Sequence, residues 1–142
     1  MSSLPKVFQL ARYPYEETAH HFVLLVSDGA RSGRSEFYAD AGSIHELAEK
    51  LVRFPRSTED EVRFDCGEKD DPRYAGFTGL RFYVRDAAAH TALHVQFLCR
   101  GNDLVTSTIE FAFAVEVATI NRIGGGLKAL MASDREEISV DL

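Results

Sequence analysis

A chain of 142 residues, 45% hydrophobic and 27% charged, has the size and composition of one folded domain, 1–142, able to bury a core without disulfide or metal. Its net charge of −6 at pH 7 disfavours nucleic acid, whose phosphates are bound through Lys and Arg. No apolar run approaches the roughly 20 residues that span a bilayer, and Met1 to Val7 lacks the basic start and apolar core of a signal peptide, so a cytoplasmic protein without membrane association is expected.

Lys6 to Tyr15 reads as a first strand, with Pro14 marking its end or an edge position. His21 to Ser27 is almost continuously apolar, which predicts a central strand or one covered on both faces. The turn signal Asp28-Gly29 joins it to Arg34–Tyr38 as a hairpin. A helix follows: Ser43 is the predicted N-cap, Glu46 completes a capping box, and Ile44, Leu47, Ala48 and Leu51 recur at helical spacing until Pro55. Glu61 to Cys66 is a short strand, and Gly67 to Gly76, with Asp71-Pro72, is a loop.

Three alternating segments then follow in succession: Leu80/Phe82/Val84, Leu93/Val95/Phe97/Cys99 and Val105/Ile109/Phe111/Phe113/Val115. Alternation sends one set of side chains to each face, and connections of about five residues are too short for a parallel crossover, so an antiparallel meander is expected from Phe77 to Val115. A second helix spans about Glu116 to Ala132, interrupted by Gly124-Gly125-Gly126. Each glycine costs a helix interior about 1 kcal/mol relative to Ala. Either the helix kinks there or another backbone packs closely against it. The tail alternates at Ile138/Val140/Leu142, the pattern of a short edge strand or a partner contact. Together these elements predict an α+β fold in which one antiparallel sheet of about six or seven strands packs against two helices.

No segment carries a catalytic, metal or cofactor motif. Cys66 and Cys99 fall within apolar alternation and read as reduced core residues, without the CxxC spacing of a zinc site. The glycine triplet is preceded by helical residues and followed by Leu127, whereas a phosphate loop follows a strand and continues into Lys and Ser/Thr. Close packing is the better reading. The run Glu68-Lys69-Asp70-Asp71-Pro72 lacks the register of a calcium loop. A site joining His94, His21 and Tyr83 on the polar face of the sheet is conceivable, but separate solvated histidines are the better expectation.

Surface character remains. Arg81, Tyr83 and Arg85 alternate on the face opposite Leu80/Phe82/Val84, and His94, Gln96 and Arg100 are expected beside them. Arg and Tyr are enriched at protein interfaces. From Glu59 to Asp71 seven acids stand against Arg63 and Lys69, the most polarised stretch of the chain.

Phe54-Pro55, Asp71-Pro72-Arg73-Tyr74, Leu80-Arg81-Phe82, Asp86 with Ala89-His90, and Asn121-Arg122 carry a resemblance over roughly half the chain. In these positions it resembles a family of small bacterial proteins that includes the WapI-type immunity proteins of contact-dependent toxin systems. The resemblance implies a non-enzymatic protein that binds and blocks a toxin domain. The expected partner-binding residues are Asp70, Asp71, Arg81, Tyr83, Arg85 and His94, with the acidic stretch facing a basic toxin cleft. The alternative is a small-ligand protein or enzyme with a pocket between sheet and helices, built on Tyr83, Arg85 and His94. A homodimer through an edge strand or sheet face is compatible with either.

Overall fold

The computed structural model describes residues 4–14, 19–70, 76–101, 103, 105–133 and 135–142. Eight strands and two helices follow one another as β1 (Lys6–Pro14), β2 (Ala19–Asp28), β3 (Ser32–Asp40), α1 (Ala41–Val52), β4 (Glu61–Gly67), β5 (Gly76–Val84), β6 (Thr91–Arg100), β7 (Thr106–Ala114), α2 (Val117–Ala132) and β8 (Glu137–Asp141).

The fold is α+β with antiparallel strands, as expected, but the strands form two sheets of four rather than one of six or seven. Sheet A has the order β3-β2-β1-β8 and sheet B the order β4-β5-β6-β7. The ladder breaks at α1, which carries the chain from the edge of one sheet to the edge of the other. Sheet B is a meander: β4, β5, β6 and β7 pair in sequence, with Arg63 opposite Arg81 and Arg81 opposite His94. In sheet A the expected central strand, β2, lies between β1 and β3, and the tail returns as β8 to pair with β1, Ile138 opposite Leu10.

The β2–β3 turn follows its chemistry. Asp28 accepts the N–H groups of Ala30 and Arg31 at 2.8 and 2.7 Å, and Gly29 takes a positive φ of 94° that a side chain would strain. Beyond the turn β3 crosses the inner face of sheet B. A Cβ on Gly33 would lie 3.0 Å from the Phe97 ring, the hydroxyls of Ser35 and Thr78 are 2.5 Å apart, and the Phe37 and Phe64 rings meet at 5.3 Å.

Two sequence expectations need correction here. Helix α1 starts earlier than the Ser43 capping box implies: its N-cap is Asp40, whose carboxylate accepts the Ser43 N–H at 2.7 Å. An Asp in extended conformation can satisfy this free donor, which leaves Ser43 inside the first turn. Cys99, expected in the core, is exposed at the end of β6, whereas Cys66 is half-buried. The alternating pattern outlasts the cover that the other layers provide.

Helix α2 is continuous through its glycines. A Cβ on Gly124 would stand 2.7 Å from the Val52 nitrogen and 2.9 Å from the Leu51 carbonyl carbon, so the glycine admits the backbone of α1. Ile44, Leu47, Ala48 and Leu51 of α1 and Ile120, Ile123, Leu127 and Leu130 of α2 join the inner side chains of both sheets in one buried cluster. On the outer faces of the two sheets most side chains are half-buried or exposed, while Val7, Ser27, Phe77 and Ala92 are covered.

Candidate functional site

The outer face of sheet B carries three cross-strand rows: Glu61–Tyr83–Ala92–Ala114, Arg63–Arg81–His94–Ala112 and Asp65–Gly79–Gln96–Glu110. Their alternation with Phe82, Leu80, Leu93 and Val95 puts the polar set outward. Arg81, Tyr83 and His94 are thereby brought together, half-buried among their neighbours.

Each is held by a partner. The Arg81 guanidinium lies 4.2 Å from the centroid of the Tyr83 ring, and its Nε is 3.2 Å from the Glu61 carboxylate. That Nε–H has no aligned acceptor, so the Glu61 contact is an ion pair and not a directed hydrogen bond. Arg63 bonds the same carboxylate. Hydrogen bonding by Arg63, and then the ion pair with Arg81, hold Glu61 below the ordinary carboxylate value although burial opposes this. His94 Nε2 is 2.7 Å from Glu110. Such a surface can pair charges, donate hydrogen bonds and present an aromatic ring.

The other expected site residues separate from this group. Arg85 lies just past β5 in the exposed β5–β6 turn, where its N–H donates to the His90 carbonyl at 2.6 Å. Asp70 is exposed at the opposite end of β5. There Arg100 donates to the carbonyls of Glu68, at 3.2 Å, and Lys69, while the Lys69 ammonium lies 5.1 Å from the Phe77 ring centroid. Phe77 and Tyr83 are six residues apart on one strand, roughly 20 Å at about 3.3 Å per residue. Asp71 lies outside the described residues. The acidic stretch is also partly neutralised by arginines, two of them from outside it, with Arg56 on Asp60 at 3.3 Å and Arg63 and Arg81 on Glu61.

His21 does not join His94. It sits on the outer face of sheet A in a row of rings, 5.7 Å from Tyr13 and 5.0 Å from Tyr38 between centroids, with Glu36 3.6 Å from its Nε2. Tyr13 and Tyr38 are 54% and 56% exposed, so this row is a surface feature that reasoning from strand patterns missed. The signal was present: a tight turn at Asp28-Gly29 sets residue 21 opposite residue 38.

Tyr83, Arg85 and His94 line neither of two clefts that border α1 and β4. The larger, of about 460 Å³, opens between the edges of the two sheets and is lined by Tyr38, Asp40, Ser43, Phe64, Asp65 and Cys66. Ser43 N–H bonding keeps Asp40 ionised below its usual range, and burial pushes the Cys66 thiol up, which makes it a weak nucleophile at neutral pH. Among the described residues no three His, Cys, Asp or Glu side chains gather as a metal site, and no helix is long and apolar enough to cross a membrane. No protein-family model matches the sequence, and no curated protein matches it.

Proposed function

We propose that this chain is a non-enzymatic protein-binding module of the immunity type, which binds and blocks a cognate bacterial toxin through the outer face of sheet B. The observation that carries the reading is the pre-ordered group of Arg81, Tyr83 and His94, fixed by Glu61 and Glu110 on an open sheet face. Arginine and tyrosine are the side chains most often found at the energetic centre of interfaces. Held in place before contact, they lose little conformational freedom on binding. The exposed acids near Asp70, with Asp71, steer a basic partner toward the face and speed its association.

The test is affinity capture of the tagged protein from its native host, in parallel with Arg81→Glu and Asp70→Lys variants. A stoichiometric protein partner is expected, lost with Arg81→Glu, and bound more slowly and with weaker salt dependence by Asp70→Lys. Recovery of the chain with no protein partner, or with a partner indifferent to Arg81→Glu, rejects the reading. A second reading, binding of a small ligand, is favoured by the 460 Å³ cleft beside Asp40 and Asp65. A retained metabolite whose release follows Asp65→Lys would establish it.

A further inference from the structure

The edge strand β7 is guarded along one half only. The backbone bonds from Gly101 N–H to Val105 O and from Val115 N–H to Thr91 O show that odd-numbered residues turn their polar groups toward β6. The even-numbered Thr106, Thr108, Glu110 and Ala112 therefore direct theirs away from the sheet. At the far end Arg31 closes the edge: it donates to the Ala112 carbonyl at 3.4 Å, lies 5.5 Å from the Phe111 ring centroid and is anchored on Asp28 at 2.7 Å. Among the described residues no side chain bonds the outward groups of Thr106, Thr108 or Glu110.

Apart from the carboxylate of Glu110, this open half lacks the usual protections of an edge. Thr106 to Glu110 is exposed throughout, pairs with β6 without a bulge, contains no Pro or Lys, and adds Ile109, 39% exposed, to Val105, 60% exposed. We infer that Thr106–Glu110 pairs antiparallel with the same segment of a second copy of the chain, about a two-fold axis at Thr108, joining two copies of sheet B into one eight-stranded sheet.

Self-complementarity selects the second copy as occupant. With the axis at Thr108, each Thr106 stands opposite Glu110 of the other copy, a hydroxyl beside a carboxylate, and the single charge of the segment never meets its equal. An axis at Glu110 would oppose two carboxylates, which destabilises a cross-strand pair. An axis at Ile109 would oppose Thr106 to Ala112, whose carbonyl Arg31 already occupies. Only the register at Thr108 pairs the whole open half and leaves both Arg31 contacts outside it. The inference shares Glu110 with the proposed binding face through its contact with His94, but it rests on backbone pairing at the edge and not on the toxin-binding proposal.

Sedimentation velocity on the full chain tests it over a range of about 10 µM to about 1 mM, as suits the weak affinity of a small interface. Thr108→Pro removes an outward N–H and no bond to β6, a substitution that sheet edges accept. The wild type is expected to form a concentration-dependent dimer and the variant to remain monomeric with unchanged circular dichroism. In a Cys99→Ser background, Thr108→Cys is expected to cross-link between copies on oxidation, because directly opposed Cα atoms at about 5.5 Å suit a disulfide, whereas Thr106→Cys is not. A monomer at every concentration, or a dimer that Thr108→Pro leaves intact, overturns the inference. Should Thr108→Pro fail to fold, the cysteine pair decides: preferential cross-linking at position 108 supports the register, and equal or absent cross-linking rejects it. An edge that pairs only with a strand of a different protein also rejects it.

Discussion

The side-chain amide of Asn121, at the start of the second turn of α2, donates to the Leu51 carbonyl at 2.9 Å and so closes the end of α1 from outside. The same Nδ2 reaches the carbonyl of the buried Phe54, also at 2.9 Å. Helix C-termini leave carbonyls short of intrahelical partners, and this amide reaches those of Leu51 and, at 3.3 Å, Val52 at the end of α1 as well as that of Phe54 just beyond it. Asn121→Ala leaves the Phe54 carbonyl unpaired in the core and is expected to destabilise the fold by about 1–3 kcal/mol. Chemical denaturation of the variant against the wild type reads this directly. A change below a few tenths of a kcal/mol would show that water replaces the amide there.

The three consecutive glycines are unequal. Gly124→Ala drives a Cβ to 2.7 Å from the Val52 nitrogen, a backbone atom that cannot rotate away, whereas at Gly125 nothing lies within 4 Å. Gly124→Ala is therefore expected to cost about 1–3 kcal/mol through overpacking, against an intrinsic helical gain of about 1 kcal/mol. Gly125→Ala retains that gain alone and is expected to raise the melting temperature. Equal effects at the two positions would contradict close helix contact at Gly124.

Alternation in Leu80–Val84 and Leu93–Cys99, with short turns between, was enough to predict the meander and the outward set of Arg81, Tyr83 and His94. Periodicity speaks of faces and tight turns of neighbours. It is silent about whether β3 and β4, parted by α1, share a ladder, and so the division into two sheets was not legible. The same silence hid the return of Ile138 to Leu10 and the distance between Asp70 and Arg81. Charge counting made Glu59 to Asp71 a single acidic feature because it cannot see Arg56 and Arg81 arriving to neutralise Asp60 and Glu61.

The proposed binding face is sensitive to acid. Arg63, and then Arg81, lower the folded Glu61 carboxyl below its ordinary value of 4.5. The unfolded chain therefore takes up the proton first, and the stabilisation is complete above about pH 4.5 and lost as pH falls through the folded value. Urea midpoints measured downward from neutral pH are expected to decline below that point. Glu61→Gln should lower stability near neutrality and flatten the decline. If the variant followed the wild-type profile unchanged, the ion pairs of Glu61 would carry no linkage.

The two cysteines differ in cover, and this gives an independent check on the layer arrangement. Cys66 lies between the sheet edges with its Sγ 3.3 Å from the Tyr38 carbonyl, and burial raises its thiol above the ordinary value, so little thiolate forms at neutral pH. Cys99 stands exposed at the end of β6. Thiolate is the reacting form and must be reached by the reagent, so iodoacetamide is expected to modify Cys99 first in the native protein. Mass mapping of the singly alkylated species distinguishes the sites. Faster reaction at Cys66 would mean that the cleft between β3 and β4 is wider than its lining indicates, and that the edges of the two sheets part in solution.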